Sequence, residues 1–273
     1  MKVAVGVANP ARLPLVFPPG TGRPIAAPVT GLQGLPMCDR ALRELGWALA
    51  AGPDLTLGNN DVPSSSWNDL PADNYYQHGD RRPRRFSTLA MDLDTLAWQA
   101  RITPFRQLGV QNTVFGNGPR TYEPLTPEVL NSIWLEQVLE TDVRNLHPAL
   151  TAVAAGSWRV DLHQIRSVAS HGARGVPSPE GFHQDGVQLF AIHCVTRYSI
   201  EGGVTHLRSL TGEPTFRGAL QPGQVLYIDD RRLVHHTTEI FVDRPTVIGH
   251  RDILLVSFVC PLSWEADWRA EEN

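Results

Sequence analysis

The residues best suited to chemistry lie in the segment PEGFHQDG at positions 179–186. His183 and Asp185 are two residues apart in it, and on an extended strand side chains at this spacing point to the same face. An imidazole and a carboxylate on one face can both bind one metal ion. The histidine pair His235 and His236 follows later in the chain. In an antiparallel sandwich a strand this far along can return to face the first, so the sequence predicts a metal site.

Two histidines and one carboxylate on one face of an octahedron are the ligand set typical of non-haem Fe(II) oxygenases, and the other positions stay open for reactants. An HxD pair alone is weak evidence, because the chain contains 10 histidines. The distal histidine strengthens the prediction. His235 and His236 are neighbours and face opposite ways on a strand, so only one of them can be the third ligand. We interpret four other histidines as surface or core residues, namely His171, His193, His206 and His250.

Arg251 is a second candidate, because it opens an apolar strand that runs from Ile253 to Phe258. A charged side chain that enters a buried strand needs a partner of opposite charge. The planar fork of a guanidinium matches the two oxygens of a carboxylate. The sequence therefore predicts an anionic partner for Arg251, which is either a bound carboxylate or a nearby acidic residue of the protein.

Three further residues are candidates for substrate binding. His163 and Arg166 are three positions apart in one predicted strand, so they cannot both face a pocket. A pocket-lining role and a structural role stay open for each. Arg120, in the segment PRTYEPL, either orients a polar substrate or braces a loop together with Glu123.

The elements that must position these residues divide the chain into two halves. Apolar spacing predicts helices over 39–51 and 126–146 in the first half. Thr126 and Pro127 suit the start of the second helix, and His147-Pro148 suits its end. From about residue 157 the sequence predicts short strands separated by turns, at 157–168, 187–198, 204–210, 224–229, 233–241 and 251–259.

Many short strands with turn signals predict an antiparallel sandwich or barrel. We expect residues 38–273 to form a single catalytic domain, in which a helical N-terminal half packs on the β half. The segment 1–37 is rich in proline and glycine without a clear period, and this predicts an extended or partly ordered arm.

Composition excludes several classes of protein. The chain has 273 residues, of which 42% are hydrophobic, so it can bury a sizeable core and is not disordered throughout. With 24 basic and 28 acidic residues it has a net charge of -4, which argues against nucleic acid as a partner. No apolar run is long enough for a membrane span, and we expect a cytoplasmic protein. Its 3 cysteines are far apart and predict no disulfide framework or thiolate zinc site.

Several blocks of the sequence resemble the 2-oxoglutarate-Fe(II) dioxygenase family, which includes free amino-acid hydroxylases. The resemblance covers roughly residues 70–262 and depends on the order and spacing of seven blocks: LPADNYYQHGDRRPRRFS at 70–87, FGNGPRTYEPL at 115–125, WRVDLHQIR at 158–166, PEGFHQDG at 179–186, IEGG at 200–203, LYIDDRRLVHHTTEI at 226–240 and HRDILLVSF at 250–258. It implies a double-stranded β-helix, the cupin-like jelly roll, which is mainly β with packed helices.

The resemblance also implies roles for individual residues. His183 and Asp185 match the first two iron ligands of the family. His235 matches the distal one, because it lies three residues after Arg232 and three before Thr238. Arg251 matches the residue that binds the distal carboxylate of 2-oxoglutarate. The implied cofactors are Fe(II), 2-oxoglutarate as cosubstrate, and O2.

The implied activity is hydroxylation of an unactivated C–H bond in a small molecule, and the resemblance implies a free amino acid or a close derivative as this substrate. Two alternatives stay open at this point. The same iron chemistry can end in desaturation or oxidative ring closure, and the ligand set does not separate these outcomes. A non-oxidative metal-binding jelly roll is the other alternative, although the presence of three ligands and Arg251 argues against it.

Overall fold

The computed structural model describes residues 37–53, 63, 65–107, 118–154, 156–244 and 247–260. In this part of the chain the helices are α1 Met37–Leu45, α2 Ser65–Asn68, α3 Pro127–Leu130 and α4 Ile133–Thr151, with a short 3-10 turn at Gly79–Arg81. The strands are β1 Trp47–Ala51, β2 Arg84–Asp92, β3 Trp98–Arg101, β4 Ser157–Ala169, β5 Leu189–Tyr198, β6 Ile200–Gly202, β7 Thr205–Ser209, β8 Pro214–Gly218, β9 Gln224–Asp229, β10 Leu233–Thr237, β11 Ile240–Val242 and β12 Gly249–Val259.

Three antiparallel sheets make up the β structure. The large sheet has seven strands in the order β1-β9-β5-β12-β4-β2-β3, and the smaller ones are β10-β7-β8 and β11-β6. In the large sheet Arg251 of β12 pairs with Ser167 of β4, and Leu255 pairs with His163. In the small sheet His235 pairs with Leu207 and His236 with His206. Arg251 and His163 therefore lie on two neighbouring strands, β12 and β4, that are hydrogen-bonded on both sides.

The large sheet buries both of its faces. One face packs against α4 through residues such as Leu254 and Val256 of β12, in a core that contains most of the buried side chains of the helix. The other face packs against the three-stranded sheet, where Phe190 and Ile192 of β5 contact a second core with Leu207 of β7. Side chains alternate between the two faces of a strand. In β4, β5 and β12, one alternate set of side chains therefore packs in the core beneath α4, and the other set faces the space between the two sheets.

The helix predicted over 39–51 is wrong in its second half. The helix ends at Leu45, because Gly46 has a φ of 81° and its N–H closes the last turn on the carbonyl of Leu42 at 2.9 Å. Glycine adopts this left-handed conformation without a Cβ clash. The chain then continues as β1, which extends the large sheet beside β9.

The helix predicted over 126–146 is divided in the structure. After α3, Asn131 and Ser132 interrupt it, and Ser132 caps α4 by accepting a hydrogen bond from the Leu135 N–H at 3.1 Å. The helix also passes the predicted end and includes Pro148 in its last turns. Only one hydrogen bond is lost there, since the ring removes a single N–H donor.

The strand predictions from residue 157 onward are confirmed in outline. The segment 233–241 proves to be two strands in different sheets, β10 and β11, and β6 and β8 were not predicted. The first half is less helical than predicted, because it supplies β1, β2 and β3 to the large sheet. The arm predicted over 1–37 lies outside the described residues except for Met37, and it stays a prediction.

Two facing sheets with helices on one outer face make this a jelly roll, as predicted from the sequence. Among the described residues, no helix has the length and apolar character needed to cross a membrane. Cys38, Cys194 and Cys260 are all buried and free, in agreement with the prediction that they form no disulfide.

Candidate active site

The candidate metal ligands come from two chain segments that meet at the small sheet. The main chains of His183 and His235 form an isolated antiparallel bridge, with His183 N–H donating to His235 O at 3.1 Å and His235 N–H donating to His183 O at 2.9 Å. This pairing places the two imidazoles side by side, with ring centroids 4.2 Å apart. Asp185 follows two residues later, and its carboxylate turns to the same side.

The ligand atoms of His183, Asp185 and His235 all lie within 4.8 Å of one another. His183 Nε2 is 3.5 Å from Asp185 Oδ1, and His235 Nε2 is 3.7 Å from Asp185 Oδ2. The other ring nitrogen of His183, Nδ1, contacts the Gly181 carbonyl at 2.9 Å. A histidine that donates Nδ1–H in this way directs Nε2 at a metal. Three ligand atoms at these distances can bind one cation together.

His236, the competing third ligand, faces away from this cluster. Its ring packs against Phe182, with centroids 5.3 Å apart, and lies 6.5 Å from the ring of His206. His235 is 6% exposed and packs against Phe190 at 4.8 Å between centroids. The opposite directions of neighbouring residues on β10 therefore separate the two histidines, as expected for a strand.

Burial and the charges of the cluster raise the pKa of one member and lower the pKa of the other two. Burial alone would lower the pKa of His183, but the hydrogen bond and charge of Asp185 raise it to about 9. Burial and the neighbouring His183 lower the pKa of His235 to about 3. For Asp185, burial opposes ionisation, yet the two imidazoles outweigh it and hold the carboxyl pKa well below its usual value. The site therefore favours an ionised carboxylate and at least one neutral imidazole, which are the forms that bind metal.

Asp230, which the sequence analysis did not single out, fixes the turn that carries Asp185. Its carboxylate accepts hydrogen bonds from the main-chain N–H groups of Asp185, Gly186 and Val187 at 3.0, 2.7 and 3.1 Å. Burial and the charge of Asp185 raise the Asp230 pKa to about 7. Its Oδ1 also lies 4.0 Å from His235 Nδ1. Asp230 thus links the two segments that supply the ligands.

Arg251 lines the same cavity as the three candidate ligands, on the face of β12 that looks toward the small sheet. It is 2% exposed, and its Nε and Nη2 atoms are buried without a hydrogen-bond partner among the described residues. Burial lowers its pKa. The neighbouring carboxylate of Asp252 belongs to the other face of the strand. Two unsatisfied guanidinium donors in a cavity are the feature expected of a site for a bound carboxylate.

Arg166 is not in the cavity, and the suggestion that it contacts substrate is corrected. It forms a bidentate salt bridge with Asp252, Nε to Oδ1 at 2.7 Å and Nη2 to Oδ2 at 2.8 Å, and a further bond to Asn68. His163 lines the cavity, since residues three apart on β4 face opposite ways. Burial and the charge of Arg84 lower the His163 pKa well below its usual value.

Arg120 also lines the cavity and is 4% exposed. Its Nη2 donates to Gln107 Oε1 at 2.5 Å, and its guanidinium lies over the Phe105 ring at 4.6 Å. Its position is therefore compatible with both roles raised for it, orienting a substrate in the cavity and bracing a loop. The proposed partner in the loop, Glu123, is outside the cavity lining.

The basic run at 81–85 was not a candidate in the sequence analysis. In the structure Arg82 and Arg84 line the cavity and are 8% and 5% exposed. Asp73 Oδ2 lies 3.3 Å from Arg82 and 3.7 Å from Arg84. Arg84 Nη2 contacts His163 Nδ1, and its guanidinium stacks over Tyr122 at 4.3 Å. No alternating pattern along β2 could have singled out Arg84 from the sequence, because the strand is buried on both faces.

A jelly roll that holds two histidines and a carboxylate at one cavity defines the non-haem iron class of enzymes. The sequence matches the model of the 2OG-Fe dioxygenase family over residues 64–257, so the chain belongs to that family. The protein is accordingly a 2-oxoglutarate-Fe(II) dioxygenase, and the family uses Fe(II), 2-oxoglutarate and O2.

Solved structures agree with the fold. A bsmA homologue from Methylobium petroleophilum is 26% identical with a TM-score of 0.67, and the match covers 81% of this chain and 91% of that one. IDO from Bacillus thuringiensis is 16% identical, with a TM-score of 0.65 and coverage of 81% and 96%. The Fe(II)/(alpha)ketoglutarate-dependent dioxygenase TqaL is 16% identical, with a TM-score of 0.59 and coverage of 82% and 86%. At 16% identity the likeness concerns the fold alone. No curated protein matches the sequence at a significant level.

The residues present fit the family's cofactors. Asp185 Oδ2 is buried without a hydrogen-bond partner among the described residues, so it retains lone pairs for a cation. The donor set of two imidazoles and one carboxylate suits Fe(II). The unsatisfied donors of Arg251, in the same cavity, suit an anionic group.

Proposed function

We propose that His183, Asp185 and His235 bind Fe(II), and that Arg251 binds the distal carboxylate of 2-oxoglutarate. Iron supplies the oxidising chemistry when it is bound together with 2-oxoglutarate and O2. The buried guanidinium of Arg251 supports the second assignment, because its two unsatisfied donors match the two oxygens of a carboxylate. Its fixed position on β12 orients the cosubstrate toward the three ligands in one cavity.

We further propose that the substrate is a free amino acid or a close derivative, and that the reaction is hydroxylation of one of its unactivated C–H bonds. The single observation that carries this proposal is the excess of buried arginine in the cavity. Among the described residues, four arginines line it, Arg82, Arg84, Arg120 and Arg251, together with the carboxylates of Glu180 and Asp185. Asp73 lies near Arg82 and Arg84 but outside the lining.

Iron adds two positive charges to this cavity, and 2-oxoglutarate adds two negative ones. The occupied cavity therefore keeps an excess of positive charge, which favours a substrate that carries a carboxylate. Arg84 and Arg120 are the arginines best suited to receive it. His163 stays neutral beside Arg84 and can donate or accept a single hydrogen bond from the substrate.

The remaining wall of the cavity positions and shields the reacting group. Ile192, Ile253 and Leu255 are apolar, and Phe105 closes one side. Apolar walls exclude water and leave the substrate's hydrocarbon part facing the metal ligands. The protein thus supplies orientation and a dry environment, while the cofactor supplies the difficult chemistry.

The test is incubation with Fe(II), 2-oxoglutarate, ascorbate and pooled amino acids, including nonproteinogenic ones, with succinate and product masses measured. A gain of one oxygen atom in an amino acid supports the proposal. A loss of two hydrogens would replace hydroxylation with desaturation or ring closure. Activity confined to peptides or to substrates without a carboxylate would contradict the proposed substrate class.

A matched pair of variants connects the product to the cavity. Arg84→Met should weaken substrate use, because it removes a buried cation from the lining. Arg85→Met is the control, since Arg85 is the next residue on β2 and bonds outward to the Pro124 and Asp69 carbonyls. Equal losses in both variants would show that the effect is on folding and not on recognition.

A further inference from the structure

Gln107 is a buried residue that the sequence analysis passed over, and it contacts a candidate metal ligand. Its Nε2 donates to Asp185 Oδ1 at 3.1 Å, and its Oε1 accepts from Arg120 Nη2 at 2.5 Å. Gln107 is 8% exposed and Arg120 is 4% exposed. We infer that Gln107 is a positioning residue for the Asp185 carboxylate, and that Arg120 sets the orientation of the Gln107 amide.

The order of charges along this chain of hydrogen bonds allows only one orientation of the amide. A guanidinium has donors and no acceptor, whereas an ionised carboxylate has acceptors and no donor. Gln107 therefore presents its carbonyl to Arg120 and its NH2 group to Asp185. A flipped amide would set donor against donor at one end and acceptor against acceptor at the other. In a buried site these two repulsions are not relieved by water.

Main-chain pairing holds Gln107 at this point. Phe105 and Arg120 form an isolated bridge, in which Phe105 N–H donates to Arg120 O at 2.8 Å and Arg120 N–H donates to Phe105 O at 2.9 Å. Gln107 lies two residues after Phe105, so its side chain points to the same side of the extended segment. The bridge thus fixes both Gln107 and the arginine that orients it.

The hydrogen bond from Gln107 gives the two carboxylate oxygens of Asp185 different environments. Gln107 engages Oδ1, while Oδ2 is buried without a hydrogen-bond partner among the described residues and faces His235 Nε2 at 3.7 Å. Oδ2 is therefore the oxygen of Asp185 that would be left to hold a metal ion. The inference depends on the proposed metal site, but not on the proposed substrate.

The test measures metal binding directly. Co(II) is titrated into the protein without 2-oxoglutarate, and its visible absorption reports both affinity and coordination. Gln107→Leu keeps a side chain of comparable volume and removes the amide. Loss of a partner of a metal ligand typically weakens metal binding about 10- to 100-fold, so we expect the Co(II) dissociation constant to rise by that factor and the absorption bands to change.

Gln164→Leu is the matched control, because Gln164 is equally buried but lies on the helix face of β4, where it donates to Ser66 Oγ at 2.7 Å. It should change thermal stability and leave the Co(II) spectrum unaltered. Arg120→Lys, which keeps a cationic donor, should retain more Co(II) affinity than Arg120→Met. Should Gln107→Leu fail to fold, Gln107→Asn takes its place, since the shorter amide cannot reach both partners.

Three results would overturn the inference. Unchanged Co(II) affinity and spectrum in Gln107→Leu would show that the contact does not position the ligand. Equal changes in Gln164→Leu would show a general effect on the fold. Absence of Co(II) binding by the unmodified protein would contradict the metal site itself, and the inference with it, whereas normal metal binding without any amino-acid product would contradict only the proposed substrate.

Discussion

Replacing Arg251 with methionine removes a buried guanidinium whose Nε and Nη2 donors have no partner among the described residues. A charge-assisted bidentate contact contributes about 1.5–3 kcal/mol, which corresponds to roughly 10- to 150-fold in affinity. We expect the Michaelis constant for 2-oxoglutarate to rise by this factor in Arg251→Met, with a much smaller change in the constant for the primary substrate. Steady-state assays of succinate release measure both.

Thermal denaturation gives a second measure of the same contact. A ligand at 100 times its dissociation constant stabilises a protein by about 2.7 kcal/mol. If affinity falls about 10- to 150-fold, the same 2-oxoglutarate concentration stabilises by only about 1.4 to 0.3 kcal/mol. Anaerobic denaturation with Fe(II), at several 2-oxoglutarate concentrations, compares the two proteins directly.

The same variant distinguishes a ligand-binding arginine from a structural one. An unpaired buried charge costs free energy, so Arg251→Met should not lower stability in the absence of 2-oxoglutarate. Arg166→Met is the control, because it breaks the buried salt bridge to Asp252 on the other face of the sheet. That loss should cost about 3 kcal/mol, the lower end for a buried pair since Arg166 is partly exposed. Normal dependence on 2-oxoglutarate in Arg251→Met would refute the assignment.

Three other predictions concern the ligands, the wall of the cavity and the thiols. Alanine at any candidate metal ligand should abolish succinate release, whereas His236→Ala should retain much of it, and an active His235→Ala with an inactive His236→Ala would reverse the assignment. Gly203→Ala should raise the Michaelis constant for 2-oxoglutarate, because a Cβ there lies 3.0 Å from Arg197 Nη1 and from Ile240 Cγ2, beside Arg251 Cδ at 3.4 Å, and the φ of +64° strains alanine; an unchanged constant would contradict this. Burial raises the pKa of the Cys38 thiol, so at pH 8 a disulfide reagent should modify Cys38 far more slowly in the folded than in the denatured protein; equal rates would show that the thiol is accessible.

The sequence predicted the cluster of His183, Asp185 and His235 because metal chemistry restricts the types of residue that can serve as ligands. Their ligand atoms lie within 4.8 Å of one another, although His235 belongs to a different chain segment from His183 and Asp185. Arg251 was found on a related argument, since a charge that enters an apolar strand needs a partner. Gln107 and Asp230 could not be found in this way, because glutamine and aspartate are common and their roles arise only from contacts with distant residues.

The missed strands have a physical explanation as well. β2 is a central strand whose residues are buried on both faces, so the alternation that marks a half-buried strand is absent from RRFSTLAMD. The helical spacing of Leu42, Leu45 and Leu49 predicts a helix that continues through the residues of β1. Only Leu42 is buried, whereas Leu45 is 49% and Leu49 is 44% exposed. Gly46 is the residue in the sequence that indicates the end of the helix, because glycine is common just after a helix C-terminus.

The main-chain bridge between His183 and His235 has a consequence for how the protein gains and loses its metal. Because two hydrogen bonds already hold the ligand-bearing segments together, the entropy of assembling the coordination shell is lost during folding and not when the cation arrives. The fold then does not require the cation, although a bound cation still stabilises the folded chain according to its affinity. Such a centre can release a spent ion and take up a new one while the jelly roll around it stays intact.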